Sequence, residues 1–374
     1  MGTQLQTDNA TRRTFLGGLI AGAALLAAGC AETRARTPGA RADASTPRLG
    51  IALLGLGEYS STQLGPALQR TRHCALRGIV TGTPDKIARW QKDYAIADAN
   101  VYDYATLSRI ADNPAIDVVY VVAPTALHAK YAIMAAEAGK HVWCEKPMAM
   151  NVEECQRIID ACRKNHVSLS IGYRMQHEPN TRTVMQLARD RPYGAIARVR
   201  AVAGDASGAA PGWRMQRAMG GGALYDMGVY SINALRYATG EEPVRVVRAR
   251  QWSSNPEFAE VDESSEFELE FPSGASGYGK ASRADPENVL HVQAAHGWYE
   301  LAPMQAYRGV SGKTSDGRAL DQKIDSQQAL QMDEDALAIL EGRPALVPGE
   351  EGQRDIHILQ AILQAAQHGQ AVAL

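Results

Sequence analysis

The segment that most limits the fold is residues 48–60. An apolar stretch, residues 48–54, runs straight into Gly55-Leu56-Gly57, and residues 63–71 then read as a helix. A buried strand, a glycine turn and a helix form the start of a dinucleotide-binding unit. Glycines let the backbone approach a pyrophosphate, and a helix N-terminus favours its negative charge. The sixth position of that fingerprint is Ser60 rather than Gly or Ala, a departure expected to loosen the helix–strand contact.

The alternation then repeats. Strands are expected at residues 75–80, 116–122, 141–144 and 167–172, with helices at 126–138 and 152–164. Such a chain folds as a doubly wound parallel sheet whose ligands lie at the C-terminal strand ends. Pro124, His128, Glu145 and Lys146 fall at that edge. The second strand ends at Thr81-Gly82, where NAD-binding chains usually carry an acid for the ribose hydroxyls. Thr81 with Lys86 and Arg89 nearby suits a 2′-phosphate, so NADP is the expected cofactor.

From about residue 198 strand-like runs follow without helices between them: 197–203, 244–252, 266–271, 275–280 and 289–297. They predict a second α+β domain with an open, mainly antiparallel sheet. One helix interrupts at 223–238, and helices at 327–340 and 352–368 close the chain. The expected division is a Rossmann domain at 48–173 and a substrate and oligomerisation domain at 174–374.

The first thirty residues read as an address. Arg12-Arg13 precedes a short uncharged run, the form of a twin-arginine export signal over residues 1–30. Residues 31–47 form a polar linker or arm, and Leu26-Ala27-Ala28-Gly29-Cys30 resembles a lipoprotein cut site at Cys30. A periplasmic location is expected. Lys plus Arg is 39 against 41 Asp plus Glu, without the basic excess of a nucleic-acid binder. No run is long and apolar enough to span a membrane. Five cysteines show no metal-ligand spacing, and no metal site is expected.

Three residues are candidates for the chemistry. Lys146 follows a strand in Cys144-Glu145-Lys146-Pro147. Asp226 and Tyr230 are four apart, hence on one helix face, just after Gly220-Gly221-Gly222. A tyrosine free in water is a weak base at neutral pH, and a neighbouring ammonium favours its phenolate. Tyr230 would take the hydroxyl proton of an alcohol, Lys146 would charge it, and Asp226 would orient the lysine or hold the substrate. The triple glycine is expected to let a ligand approach the backbone.

These motifs resemble the glucose–fructose oxidoreductase and inositol dehydrogenase family. The carriers are residues 138–147 ending in Glu145-Lys146-Pro147, and the run ending Tyr225-Asp226-Met227-Gly228-Val229-Tyr230. Tyr at the last position resembles the glucose–fructose oxidoreductase branch, as do Ile171-Gly172-Tyr173-Arg174 and residues 237–243. The resemblance implies Lys146, Asp226 and Tyr230 as catalytic positions. It implies Gly55, Leu56, Gly57, Thr81, Gly82 and Lys86 as the nucleotide site. Tyr59, Pro124, His128, Glu145, Arg174, Trp213 and Arg214 follow as cofactor or substrate contacts. It also implies tightly held NADP, oxidation of an aldose at C1 with a second sugar as acceptor, and a homo-dimer or homo-tetramer. The alternatives are an exchanging NAD(P)-dependent sugar or polyol dehydrogenase, an exported NAD-dependent glycosidase of the same superfamily, and a non-catalytic nucleotide-binding sensor.

Overall fold

Six strands form the first sheet: β1 (Leu49–Leu54), β2 (Cys74–Val80), β3 (Val101–Tyr102), β4 (Val118–Val121), β5 (His141–Cys144) and β6 (Leu169–Ile171). All neighbours are parallel, in the order β3-β2-β1-β4-β5-β6. Every residue of β1 and β4 is buried, as a parallel strand covered on both faces requires. The order in which strands are added reverses between β1 and β4, which opens a crevice at the carboxyl ends of these strands. The computed structural model describes residues 48–374 apart from residue 211. The expected signal 1–30, the arm 31–47 and Cys30 lie outside the described residues.

The glycine turn leads into a π-helical turn, Ser60–Leu64, and then α1 (Gly65–Leu68). The helical run starts at Glu58, five residues earlier than expected. Ser60 also corrects its reading: it is buried, and its hydroxyl donates to the carbonyl of Gly55 at 2.6 Å. It ties the turn instead of loosening it. The helices α2 (Ile87–Tyr94), α3 (His128–Glu137) and α4 (Val152–Lys164) follow. In α4, Asn151 accepts from the Glu154 amide at 2.8 Å, with acids in the first turn and Arg163 and Lys164 in the last. Both features match the orphan amides and the dipole of a helix.

The second sheet has nine strands: β7 (Ile196–Gly204), β8 (Arg245–Trp252), β9 (Ser264–Glu270), β10 (Ser276–Ser282), β11 (Asn288–Ala294), β12 (Gly297–Leu301), β13 (Gly312–Thr314), β14 (Ala319–Leu320) and β15 (Val372–Ala373). Their order is β14-β13-β12-β11-β7-β10-β9-β8-β15, antiparallel except for β7 with β10. The helix α5 (Pro179–Asp190) had no counterpart in the sequence reading. A π-helical turn, Leu224–Gly228, leads into α6 (Val229–Thr239), whose Val229, Ile232 and Leu235 pack on inward residues of this sheet such as Val199, Phe267 and Leu290. On the other face, Arg245, Arg248 and Arg250 of β8 pair across the strands with Glu270, Glu268 and Glu266 of β9.

Two C-terminal helices bind the two sheets into one compact unit. α7 (Gln327–Leu340) sends Ala329, Met332 and Ala336 into the cluster around Leu49, Ile51 and Trp143. α8 (Gly349–His368) lies against α4 and β8. Its Glu351 and Asp355 surround Arg236 of α6 at 3.0 and 2.6 Å. Cys74, Cys144, Cys155 and Cys162 are buried free thiols.

Two acids in these junctions set an acid limit. Burial opposes ionisation of Glu334, but hydrogen bonds from His177 and Arg182 outweigh it and bring its carboxyl down to about 2. Burial likewise opposes Glu351, and the Arg236 charge outweighs it, again to about 2. An acid depressed in the fold adds stability that is full above its unfolded value, about 4, and is lost as pH falls through the folded one. Unfolding free energy should therefore fall between about pH 4 and pH 2. Glu334→Gln should flatten that limb and lower stability at neutral pH by roughly 1–3 kcal/mol, read by denaturant titration across pH. An unchanged acid limb would refute the assignment.

Candidate active site

The crevice edge is built from four turns. Gly55 to Ser60 follow β1, residues 122–127 follow β4, Glu145 to Pro147 follow β5, and Gly172 to Arg174 follow β6. At Gly55, φ is +95°, and an added Cβ would lie 2.3 Å from the carbonyl oxygen of Val122. That glycine is demanded by the fold itself. Gly57 differs, because an added Cβ there would meet no atom within 4 Å. Open space beside exposed turn backbone is what a bound pyrophosphate needs. Lys86 reaches back to this turn, its Nζ donating to the carbonyl of Leu56 at 2.8 Å. Thr81 is buried, its hydroxyl accepting from the Thr83 amide at 3.1 Å, and Gly82 packs on the ring of Tyr104. The carbonyl of Pro124 accepts from Leu127 in a turn whose Thr125 hydroxyl is buried without a partner. A cation, an open glycine and no acid at the end of β2 fit a phosphorylated dinucleotide.

Lys146, Asp226 and Tyr230 meet in the crevice. The Nζ of Lys146 donates to the backbone carbonyl of Asp226 at 2.7 Å and lies 3.7 Å from its carboxylate. It also stands 4.5 Å from the centre of the Tyr230 ring. The ammonium thus sits over the ring face. That face is electron-rich and attracts a cation.

Asp226 is the anchor of the cluster. Its carboxylate accepts from Arg214 Nε at 3.0 Å and from the guanidinium of Arg283. Burial opposes its ionisation, but Lys146, Arg283 and Arg214 outweigh it and hold the carboxyl below the usual range. Three cations share this acid, so the pocket carries a positive excess that favours a phenolate or an alkoxide. Arg214 lies 4.6 Å over the ring of Trp213, in a short 3-10 turn, Gly212–Met215.

Some expected contacts have other duties. Both ring nitrogens of His128 face backbone carbonyls, Pro147 at 2.8 Å and Ala123 at 2.7 Å. Burial lowers its proton affinity. His128 is wedged between two site turns, and a neutral ring donates to one of these carbonyls. Glu145 is buried as well: it accepts from Tyr120 at 2.6 Å and from the Lys146 amide at 3.3 Å. Burial pushes its carboxyl up, and it orients Lys146 from behind. The triple glycine serves packing instead of ligand approach. Added Cβ atoms at Gly220, Gly221 and Gly222 would meet Thr125 at 2.7 Å, the Arg214 carbonyl at 2.4 Å and Asp262 at 2.2 Å. Tyr59 leans on Tyr307, ring centres 5.8 Å apart, and Arg174 lies beneath. Arg283 and Tyr307 were not anticipated. Both sit in loops that carry no local motif.

With this geometry in place, comparison with known proteins is informative. Residues 49–173 match the model described as oxidoreductase family, NAD-binding Rossmann fold, and residues 181–300 match the GFO/IDH/MocA C-terminal domain. The chain belongs to the GFO/IDH/MocA oxidoreductase family. Among its relatives of known structure is an aldose-aldose oxidoreductase from Caulobacter crescentus, solved with glycerol. It is 38% identical, the match covers 87% of this chain and all of that one, and the TM-score is 0.84. A D-xylose 1-dehydrogenase [NADP(+)] of Haloarcula marismortui is 29% identical over 87% of this chain and 92% of its own length. A D-xylose 1-dehydrogenase (NADP(+)) 2 of Haloferax volcanii is 24% identical over 87% and 99%.

The two glycines separate fold from ligand. Gly57→Val should weaken nucleotide binding by at least about tenfold with little change in melting temperature. Gly55→Ala should destabilise the protein by roughly 1–3 kcal/mol. Fluorescence titration with nucleotide and thermal melts check both, and equal behaviour of the two variants would contradict the reading of Gly57.

Proposed function

We propose that this chain is an NADP-dependent sugar oxidoreductase that keeps its nucleotide bound. It oxidises an aldose at C1 to the lactone and uses a second sugar, reduced to the alditol, as acceptor. The observation that carries this reading is the convergence of Lys146, Asp226 and Tyr230 at the ligand edge of the parallel sheet. The similarity to an aldose-aldose oxidoreductase and to NADP(+)-named xylose dehydrogenases supports the substrate class and the cofactor.

Gly57, Lys86 and Thr81 would hold NADP, which when bound supplies the two-electron acceptor and donor. Tyr230 takes the proton of the C1 hydroxyl during oxidation and returns a proton to the carbonyl oxygen of the second sugar. Lys146 favours the phenolate in the first half and the proton's return in the second. Asp226 keeps the ammonium in place, and Arg214 and Arg283 keep Asp226 ionised. One aldose loses two hydrogens and the other gains two, so the sum is lactone plus alditol with no nucleotide released.

Residues Arg12 and Arg13 support export by the twin-arginine route to the periplasm, with Cys30 as a lipid anchor point. A retained cofactor is suited to a compartment without a nucleotide pool. The ladder-paired outer face of the nine-stranded sheet is the proposed homo-dimer or homo-tetramer surface.

Protein purified without added nucleotide should gain near-ultraviolet absorbance of reduced nicotinamide when glucose or xylose is added. The gain should match the protein concentration and reverse on addition of a second sugar. Turnover only with added NADP would replace this reading with an exchanging dehydrogenase, and no response with or without NADP would leave a binding protein.

A further inference from the structure

Arg174 is 2% exposed, yet none of its hydrogen bonds ends on a carboxylate. Nη1 donates to the amide oxygen of Gln327 at 2.9 Å and Nη2 to that of Gln305 at 3.2 Å. Nε is buried without a partner. A guanidinium cannot shed its proton, and removing it from water without an anion costs several kcal/mol in general. Such a group persists where its charge has a use.

Tyrosines surround it. The guanidinium carbon lies 5.3 Å from the ring centre of Tyr230 and 4.9 Å from that of Tyr307, which in turn leans on Tyr59. The two amides come from different places: Gln327 opens α7, and Gln305 lies in the loop between β12 and β13. Both are neutral, so they fix the fork without cancelling its charge.

We propose that Arg174 is a positioning residue for the acid–base step, a fixed second positive charge that stabilises the Tyr230 phenolate. This rests on the reading of Tyr230 as the proton acceptor. When the phenol gives up its proton, a guanidinium that no hydrogen-bonded carboxylate neutralises gains a counter-charge beside it, and no dipole has to reorganise. A guanidinium holds the same charge at every working pH, so Arg174 supplies a fixed field.

The groups that face Tyr230 can be sorted by sign. Lys146, from the turn after β5, and Arg174, from the turn after β6, favour the phenolate. Asp226, on the turn before Tyr230, and Glu145, beneath Lys146, oppose it. Tyr59, from the glycine turn, stays neutral because burial raises it, and Tyr307, from the loop after β12, is a half-exposed phenol that carries no charge at neutral pH. Arg174 is therefore one of the two cations that lie over the Tyr230 ring itself.

The test is an ultraviolet titration of tyrosinate on the full-length protein, with sugar turnover measured alongside. Subtracting the curve of Tyr230→Phe from that of the parent isolates Tyr230. The same subtraction in an Arg174→Gln background should place the midpoint about one unit higher, a tenfold weaker acid. The rising limb of kcat/KM should move by the same amount. Arg174→Lys should recover most of the shift, which a purely structural role would not. Gln327→Met, which frees one arm of the fork and keeps the charge, should shift the midpoint the same way by less. A midpoint unmoved in both Arg174→Gln and Gln327→Met overturns the inference. Full sugar turnover by Tyr230→Phe would instead overturn the proton-acceptor reading on which it rests.

Discussion

The carboxylate of Asp226 is the joint on which the site depends. Lys146 comes to it from the parallel sheet, Arg214 from the arm before the glycine run, and Arg283 from the end of β10. A buried acid with three cationic neighbours stays ionised, and it ties the parallel sheet to the nine-stranded sheet. Removal of the acid would leave three cations close together, with Asp205 on Arg283 and Glu145 beneath Lys146 as the carboxylates nearby. The cost of unpaired buried charge makes the joint structural as well as chemical.

Around it the molecule separates two duties that a motif compresses into one string. In Glu145-Lys146-Pro147, Lys146 faces the crevice while Glu145 turns into the core onto Tyr120, itself held by Gln331 of α7 at 3.3 Å. His128 holds Pro147 from the side. The lysine is thus placed by a buried polar chain that ends in a C-terminal helix. The same helix starts with Gln327, an anchor of Arg174. The two cations over the Tyr230 ring are thus referred to one scaffold element.

Much of this was legible in the sequence because buried parallel strands are uniformly apolar. Residues 49–54, 118–121 and 141–144 could hardly belong to a half-exposed sheet. Asp226 and Tyr230 also came together as their i, i+4 spacing suggested, although Asp226 lies in a π-helical turn and Tyr230 in the first turn of α6. What stayed hidden is non-local. Arg283 and Tyr307 sit in loops whose only signal is their final position. The partners of His128 and Glu145 are backbone carbonyls and a distant tyrosine, which no spacing encodes. The glycine run before Asp226 looked like ligand access because glycine is compatible with either a ligand or a neighbouring chain. The neighbours turned out to be Thr125, Arg214 and Asp262. The short strands β13–β15 depend on pairing partners more than on their own composition.

The claim at the centre of this account is that the cluster of Lys146, Asp226 and Tyr230 is where sugar chemistry happens. The most direct measurement is the first turnover of Lys146→Met protein loaded with nucleotide, followed by stopped-flow absorbance after aldose is added. The account predicts that the variant folds and holds nucleotide like the parent, with the first turnover slowed by about 100-fold or more. A first turnover at the parent rate would contradict it and move the reaction centre elsewhere in the protein.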